Sequence, residues 1–107
     1  MTVQRGDVVE LRLPAGAGSE QRGKRFGVVV QSDSLLPRSV VLVAPTSTAA
    51  RPASFRPQVV VRDQPTRVMV EQVRALAVER LGRRVGRLGV SDLWAVDEAL
   101  TVVLGLV

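Results

Sequence analysis

Alternation of apolar and polar residues near the start of the chain predicts a β-strand over residues 8–13, which Pro14 is expected to end. Runs of valine and leucine between turn-forming residues predict further strands over residues 25–31, 39–44, 58–62, 67–76 and 83–88. Pro45 is expected to stop the strand over residues 39–44, because proline cannot donate to a sheet. The chain therefore presents several short strands in succession.

The segments between these strands are predicted to be loops and turns. Residues 15–24 contain three glycines, and residues 48–57 combine small residues with two prolines, so both segments are expected to be loops. A turn is predicted over residues 63–66. A single helical turn is predicted over residues 79–82, ended by its glycine.

Helical spacing of apolar residues predicts a helix at the end of the chain. Ser91 is expected to cap it, and Asp92 suits its positive first turn. The apolar face comprises Leu93, Val96, Leu100, Val103, Leu104 and Val107. Trp94, beside that face, is expected to pack in the core or against the helix.

These elements predict one domain over residues 1–107 that is mainly β with a C-terminal helix, an α+β arrangement. In it the helix packs on a small, strongly curved antiparallel sheet or open barrel.

Composition removes several classes of chemistry. The chain has no cysteine and no histidine, which excludes disulfides, thiolate metal sites, a cysteine nucleophile and a histidine base. No close carboxylate cluster is visible in the sequence, so we expect no metal and no other cofactor.

No apolar run approaches the roughly 20 residues of a membrane span, and the N-terminus lacks the apolar core of a signal peptide. We therefore predict a cytoplasmic protein without membrane contact.

The charge balance favours an anionic partner. The chain carries 15 basic and 10 acidic residues, for a net charge of +5, and Lys24 is its only lysine. The guanidinium of arginine is a planar fork that matches phosphate and keeps its proton. A genome rich in guanine and cytosine, whose codons favour arginine, is the alternative explanation for this content.

A basic loop and a group of hydroxyls lie at the ends of two neighbouring predicted strands. Residues 18–24 run into Arg25 at the start of one strand, and Thr46, Ser47 and Thr48 follow the next. A guanidinium and hydroxyls brought together can stabilise the charge that develops on a phosphodiester under attack. Without histidine or metal, RNA cleavage proceeds by attack of the ribose 2′-hydroxyl on the adjacent phosphorus. The sequence thus predicts a small RNA-cleaving enzyme that leaves 2′,3′-cyclic phosphate and 5′-hydroxyl ends.

Other side chains have predicted roles around this pair. Because arginine is a poor base, Glu20 and Glu71 are candidates for proton removal, and Glu71 is also expected to contact RNA. Phe55 is either a base-stacking ring or a buried loop anchor. The hydroxyls of residues 46–48 either contact RNA or bond their own backbone. Phosphate contacts are expected from Arg22, Lys24, Arg51, Arg56 and Arg74.

The order and spacing of several motifs resemble the MazF/PemK (Kid) toxin family over nearly the whole chain. These motifs are Gly18-Ser19-Glu20-Gln21 with Gly23 and Arg25, Val28-Val29-Val30, Ser32-Asp33, Val43-Ala44-Pro45-Thr46-Ser47-Thr48, Glu71-Gln72-Val73-Arg74, Glu79-Arg80-Leu81, Val85-Gly86-Arg87-Leu88 and Asp97-Glu98-Ala99-Leu100. The chain departs from the family where proline usually follows the arginine, since Phe26 stands there. It also departs at Met69, Glu71 and Ala77, around the Gln-x-Arg segment.

The resemblance implies an SH3-like barrel, a homodimer and metal-independent cleavage of single-stranded RNA at short sequences. It also implies a cognate antitoxin whose flexible tail covers the active groove, and the positive charge of this chain predicts an acidic tail. The family's arginine, its hydroxyl residue and its mobile-loop glutamate correspond to Arg25, Ser47 and Glu20.

Two other functions fit parts of the same pattern. A toxin of the same fold can inhibit DNA gyrase without cutting RNA, as CcdB toxins do. A non-catalytic basic module would bind RNA with strong salt dependence and leave it intact. The match of both Arg25 and Ser47 to the nuclease branch favours cleavage.

Overall fold

Seven short strands and one helix make up the part of the chain that the structure, a computed structural model, describes, residues 2–12 and 25–106. The strands are β1 (Asp7–Leu11), β2 (Arg25–Val29), β3 (Val40–Ser47), β4 (Gln58–Val61), β5 (Gln64–Val68), β6 (Arg74–Ala77) and β7 (Leu81–Arg87). The helix α1 (Val90–Val103) follows them. The predicted mainly β fold with a C-terminal helix is confirmed.

The strands form one curled antiparallel sheet in the order β4-β5-β3-β2-β1-β7. Strand β6 also pairs with β3, so β3 pairs with β6 over residues 40–43 and with β5 over residues 46–47. A 3₁₀ turn, Val70–Gln72, connects β5 with β6. This arrangement brings the ends of β2, β3, β5 and β4 side by side.

Buried residues form a separate core on each face of the sheet. One core, which we call the helix-side core, contains Val28, Val59 and Val68 and packs against Val96 and Ala99 of α1. The second, which we call the opposite core, contains Leu11, Val29, Val43 and neighbouring residues. Successive residues of a strand point to opposite faces, so core membership shows which way each strand residue faces.

Two predictions were wrong: that Pro45 ends its strand, and that a turn covers residues 63–66. Strand β3 continues through Pro45 to Ser47, because Pro45 lies where β3 changes partner from β6 to β5. Proline has no N–H to donate to a neighbouring strand, and none is needed at this position. The Pro45 carbonyl still accepts a hydrogen bond from the Met69 amide. The turn after β4 is only two residues long, Arg62 and Asp63, both with positive φ. Such a pair matches a type I′ hairpin, and Gln64 already belongs to β5.

The strand predicted over residues 67–76 is two strands separated by a 3₁₀ turn. Val68 and Val70 are both buried in the helix-side core, and the turn Val70–Gln72 directs the chain from β5 to β6. The predicted helical turn over residues 79–82 is a shorter 3₁₀ turn, Val78–Arg80, and Leu81 and Gly82 begin β7. The predicted loop over residues 48–57 contains no helix or strand in the structure.

The helix differs from its prediction at its start and in one large side chain. Gly89, not Ser91, is the N-cap, and the Asp92 carboxylate accepts a bond from the Val60 amide of β4 at 3.2 Å. Trp94 is 66% exposed, so its prediction as a core residue was wrong. Leu104 is also exposed, and Val107 lies outside the described residues. Among the described residues, no helix is long and apolar enough to cross a membrane.

Candidate active site

Arg25 and Ser47 lie at the adjoining ends of β2 and β3. The register of these strands opposes Gly27 to Pro45. The strands stay in contact one residue further, because the Thr46 hydroxyl donates to the Phe26 carbonyl at 3.4 Å. Continued by one more residue, the same register sets Arg25 opposite Ser47. Directly opposed residues present their side chains on the same face, so this register places Arg25 and Ser47 on one face of the sheet.

The Ser47 hydroxyl is oriented by the turn that follows β3. Its oxygen accepts a hydrogen bond from the Ala49 amide at 3.1 Å, which is the local backbone contact considered as an alternative role. A hydroxyl that accepts through its oxygen still has its proton to donate. Ser47 is half-buried, so that proton is available to a phosphoryl oxygen.

Gly27 allows the sheet to pack tightly just behind Arg25. A Cβ at Gly27 would lie 2.5 Å from Val43 Cγ1 and 3.0 Å from Leu11 Cδ1. Both neighbours belong to the opposite core, and both are side chains that a substituent would have to displace. The sheet is therefore closely packed against the opposite core two residues from Arg25.

Arg56 and Glu71 form an ion pair. Arg56 Nε and Nη2 both donate to Glu71 Oε2, at 2.9 and 2.6 Å. Arg56 Nη1 also donates to the Arg51 carbonyl at 3.3 Å, and its guanidinium carbon lies 5.8 Å from the centre of the Phe55 ring. The pair fastens the loop of residues 51–57 to the turn between β5 and β6.

The ion pair changes the acidity of both partners. Burial disfavours the ionised form of Glu71, but hydrogen bonds from Arg56 and the backbone outweigh it and lower the pKa of that carboxyl. The hydrogen bond that Arg56 donates to Glu71 raises the pKa of Arg56. A carboxyl with a lowered pKa is a weaker base, which disfavours Glu71 as the group that removes a proton.

Comparison with known proteins identifies the family of this fold and site. The family model described as "PemK-like, MazF-like toxin of type II toxin-antitoxin system" matches residues 4–104. The chain belongs to this family. Endoribonuclease MazF9 of Mycobacterium tuberculosis is 35% identical over 97% of this chain and 98% of its own. Endoribonuclease MazF of Staphylococcus epidermidis is 32% identical over 97% of this chain and 92% of its own.

Solved structures of PemK-like and MazF-like toxins have the same fold. A mycobacterial endoribonuclease in complex with its cognate antitoxin superposes with a TM-score of 0.81, at 19% identity over 98% of this chain and 97% of that chain. MazF of Deinococcus radiodurans gives a TM-score of 0.78, at 20% identity over 98% of both chains.

In this member of the PemK-like, MazF-like family, the other predicted site residues are only partly brought together. Thr46 is buried on the helix-side face, away from Ser47, where its hydroxyl binds the Phe26 carbonyl. Thr48 and Arg51 are exposed after the end of β3, and Phe55 is half-buried. Arg74 is exposed and opposes Val43, which places it on the same face as Ser47. The predicted residues Glu20, Arg22 and Lys24 lie outside the described residues.

The residues that depart from the family pattern have structural roles here. Phe26 is half-buried and packs on the helix-side core, on the face opposite Arg25. Met69 is buried, and its amide binds the Pro45 carbonyl. Within residues 2–12 and 25–106 no group of three or more acidic side chains is placed to hold a metal ion.

Sequence reasoning missed Arg67. It directly opposes Ser47 across β3 and β5, and it opposes Gln58 across β5 and β4. The missed signal is alternation: Val68 faces the helix-side core, so its neighbour Arg67 faces the other side. The prediction of a turn over residues 63–66 placed Arg67 at the start of a strand, where no cross-strand partner was assigned to it.

Proposed function

We propose that this protein is a sequence-specific endoribonuclease toxin that cleaves single-stranded RNA without a metal ion. The observation that carries the proposal is the placement of Arg25 and Ser47 on one face of adjacent strands. The names of the relatives support the activity, since proteins at 35% and 32% identity are called endoribonucleases. The absence of histidine and cysteine supports chemistry that does not depend on a bound transition metal.

The proposed reaction is an internal transfer at phosphorus. The ribose 2′-oxygen bonds to the adjacent phosphorus and loses its proton, while the bond from phosphorus to the 5′-oxygen breaks and that oxygen gains a proton. The products carry a 2′,3′-cyclic phosphate and a 5′-hydroxyl. Arg25 stabilises the charge on the phosphoryl oxygens, and the Ser47 hydroxyl donates to one of them. Glu20 remains the candidate base, because the bond to Arg56 weakens Glu71 in that role.

The test compares variants of the two site residues with a matched arginine elsewhere. We expect Arg25→Ala to lower the rate of RNA cleavage by about 10²- to 10³-fold, the size of effect seen when one stabilising group of a charged transition state is removed. Ser47→Ala should lower the rate less. Arg38→Ala removes an exposed arginine just before β3, at the opposite end of that strand from Ser47, and should cleave like the wild type.

The assay follows a single-stranded RNA by gel and maps the new 5′ ends by sequencing, with a metal chelator present. Full cleavage by a folded Arg25→Ala variant would disprove the assignment. If the wild type binds RNA with strong salt dependence but leaves it intact, the protein is a non-catalytic RNA-binding module. Loss of DNA gyrase activity without RNA cleavage would indicate a gyrase inhibitor.

The proposed partners are a cognate antitoxin and a second copy of the chain. A structural neighbour was solved with its cognate antitoxin, and the +5 charge of this chain favours an acidic, flexible antitoxin tail. Binding of that tail should weaken as salt is added, and an affinity unchanged by salt would refute the electrostatic account. Homodimer formation is supported by the exposed apolar side chains of Val40 and Leu42 on β3. Its RNA substrate and antitoxin would both be met in the cytoplasm, where we expect the toxin to act.

A further inference from the structure

The cross-strand registers place four polar side chains in one row. Ser47 of β3 opposes Arg67 of β5, which in turn opposes Gln58 of β4. On the other side of β3, the register of β2 brings Arg25 to the same row. Opposed residues of antiparallel strands lie about 4.5–5.5 Å apart at their Cα atoms, so Arg67 is an immediate neighbour of Ser47.

The faces of β4 and β5 settle the side on which Arg67 lies. Val59 and Val68 point into the helix-side core. Arg67 and Gln58, one residue from each of them, therefore lie on the opposite face, the face that Ser47 shares. The row is continuous across β2, β3, β5 and β4.

Arg67 differs from the neighbouring Arg56 in its charge environment, because of the two only Arg56 is in an ion pair among the described residues. Arg56 is paired with Glu71 at 2.6 Å. Among residues 2–12 and 25–106, Arg67 has no carboxylate within ion-pairing distance, and its Nη1 donates to the Arg56 backbone carbonyl at 2.8 Å. That bond orients the half-buried Arg67 side chain and leaves its other guanidinium donors to an incoming anion.

We propose that Arg67 is a substrate-binding residue that holds an RNA phosphate next to the one that is cleaved. This inference rests on the proposed ribonuclease function and extends its site from β2 and β3 onto the β4–β5 hairpin. Because the hydrogen bond to the Arg56 carbonyl already orients the guanidinium, little side-chain freedom is lost when RNA binds. Arg67 thus positions the RNA, and the chemical step stays with Arg25 and Ser47.

The test compares Arg67→Gln with Arg62→Gln. Both substitutions remove one positive charge from the same hairpin, but Arg62 lies at its exposed tip. Glutamine at residue 67 also keeps an N–H group for the Arg56 carbonyl, and a thermal melt checks that each variant is folded. Arg67→Lys serves as the rescue variant, because it restores the charge.

We expect Arg67→Gln to raise KM about 10-fold, as for loss of one charge-assisted hydrogen bond, with kcat within about twofold of the wild type. Binding is measured by fluorescence anisotropy with an uncleavable form of the substrate RNA, which carries a 2′-deoxy sugar at the cleavage position. There the slope of log Kd against log salt should fall by about 0.7 in Arg67→Gln, the value for one lost phosphate contact on a single strand. Arg62→Gln should retain the wild-type KM and slope, and Arg67→Lys should recover the slope.

An unchanged KM and salt slope in Arg67→Gln, with a wild type that cleaves RNA, would overturn this inference alone. A fall in kcat at constant KM would overturn it too, because Arg67 would then act on the chemical step. A wild type that neither binds nor cleaves RNA would overturn the proposed function and this inference together.

Discussion

Glu71 shows how a single contact changes the role that a residue type suggests. As a carboxylate near the predicted site, it was a candidate base and RNA contact. In the structure its Oε2 accepts two bonds from Arg56, and its pKa is lowered. The same contact compensates the positive charge of Arg56, a predicted phosphate-binding residue. Glu71 is therefore better suited to hold the loop of residues 51–57 than to accept a proton.

We expect Glu71→Gln to retain kcat within about 10-fold of the wild type, since loss of a general base usually costs 10²- to 10⁴-fold. Steady-state cleavage of a mapped RNA measures this. Glu79→Gln, an exposed carboxylate on the turn before β7, is the control. A 10³-fold fall in kcat would restore Glu71 as the base.

The acid dependence of stability gives a second readout of the same variant. Because the pKa of Glu71 is lowered in the fold, its ionised form stabilises the protein above the unfolded value of about 4.3. That contribution is lost as the pH falls through the lower folded value. Urea unfolding at about pH 7 and about pH 3.5 should therefore show a smaller acid-induced loss in Glu71→Gln than in the wild type. Equal losses would mean that the ion pair does not stabilise the fold.

At the scale of elements, a buried carboxylate links β1 to β7. The Asp7 side chain is only 3% exposed and accepts bonds from Arg87 at 2.9 Å and Arg84 at 3.4 Å, both on β7. It also accepts the Gln4 amide at 2.8 Å. A carboxylate removed from water requires such partners. Strand β7 is the last strand of the sheet order and precedes α1, so Asp7 helps to hold the end of the sheet from which the helix begins.

We expect Asp7→Asn to lower the free energy of unfolding by about 1.5–3 kcal/mol, the usual contribution of hydrogen bonds to a charged group. Equilibrium urea unfolding monitored by circular dichroism measures it. Asp63→Asn is the matched control: Asp63 is exposed at the hairpin tip with φ of 61°, a conformation that asparagine also adopts. If both variants unfold alike, Asp7 does not join the strands as described.

At the scale of the whole molecule, the sheet leaves an apolar strip uncovered. Val40 and Leu42 of β3 are 46% and 43% exposed, and they oppose Ala77 and Ala75 of β6. Contiguous exposed apolar surface of this kind is typical of an interface. A second copy of the chain can cover it symmetrically, as in most two-subunit assemblies.

We expect Leu42→Glu to weaken self-association, because a charge would be buried in the interface without a partner. Sedimentation velocity over a dilution series should show a dissociation constant raised about 10-fold or more. Leu106→Glu, at the exposed end of the helix region, is the control. If Leu106→Glu dissociates the protein and Leu42→Glu does not, the interface lies at the helix and not on β3.

The sequence by itself determined that the chain is mainly β with a C-terminal helix, because the local period of apolar residues distinguishes strands from a helix. It also indicated that Arg25 and Ser47 lie near each other. Arg25 begins β2 and Ser47 ends β3, and these two consecutive strands pair antiparallel. It excluded histidine and cysteine chemistry outright. The catalytic roles assigned to Arg25 and Ser47 stay predictions.

Only the tertiary structure decided the contacts between residues far apart in sequence. The change of partner at Pro45, the opposition of Ser47 and Arg67 and the ion pair of Arg56 with Glu71 all depend on strand register and on the turn between β5 and β6. Local pattern carries no information on register, and a shift of one residue would move every side chain to the other face. The exposure of Trp94 likewise depends on which face of α1 the sheet covers.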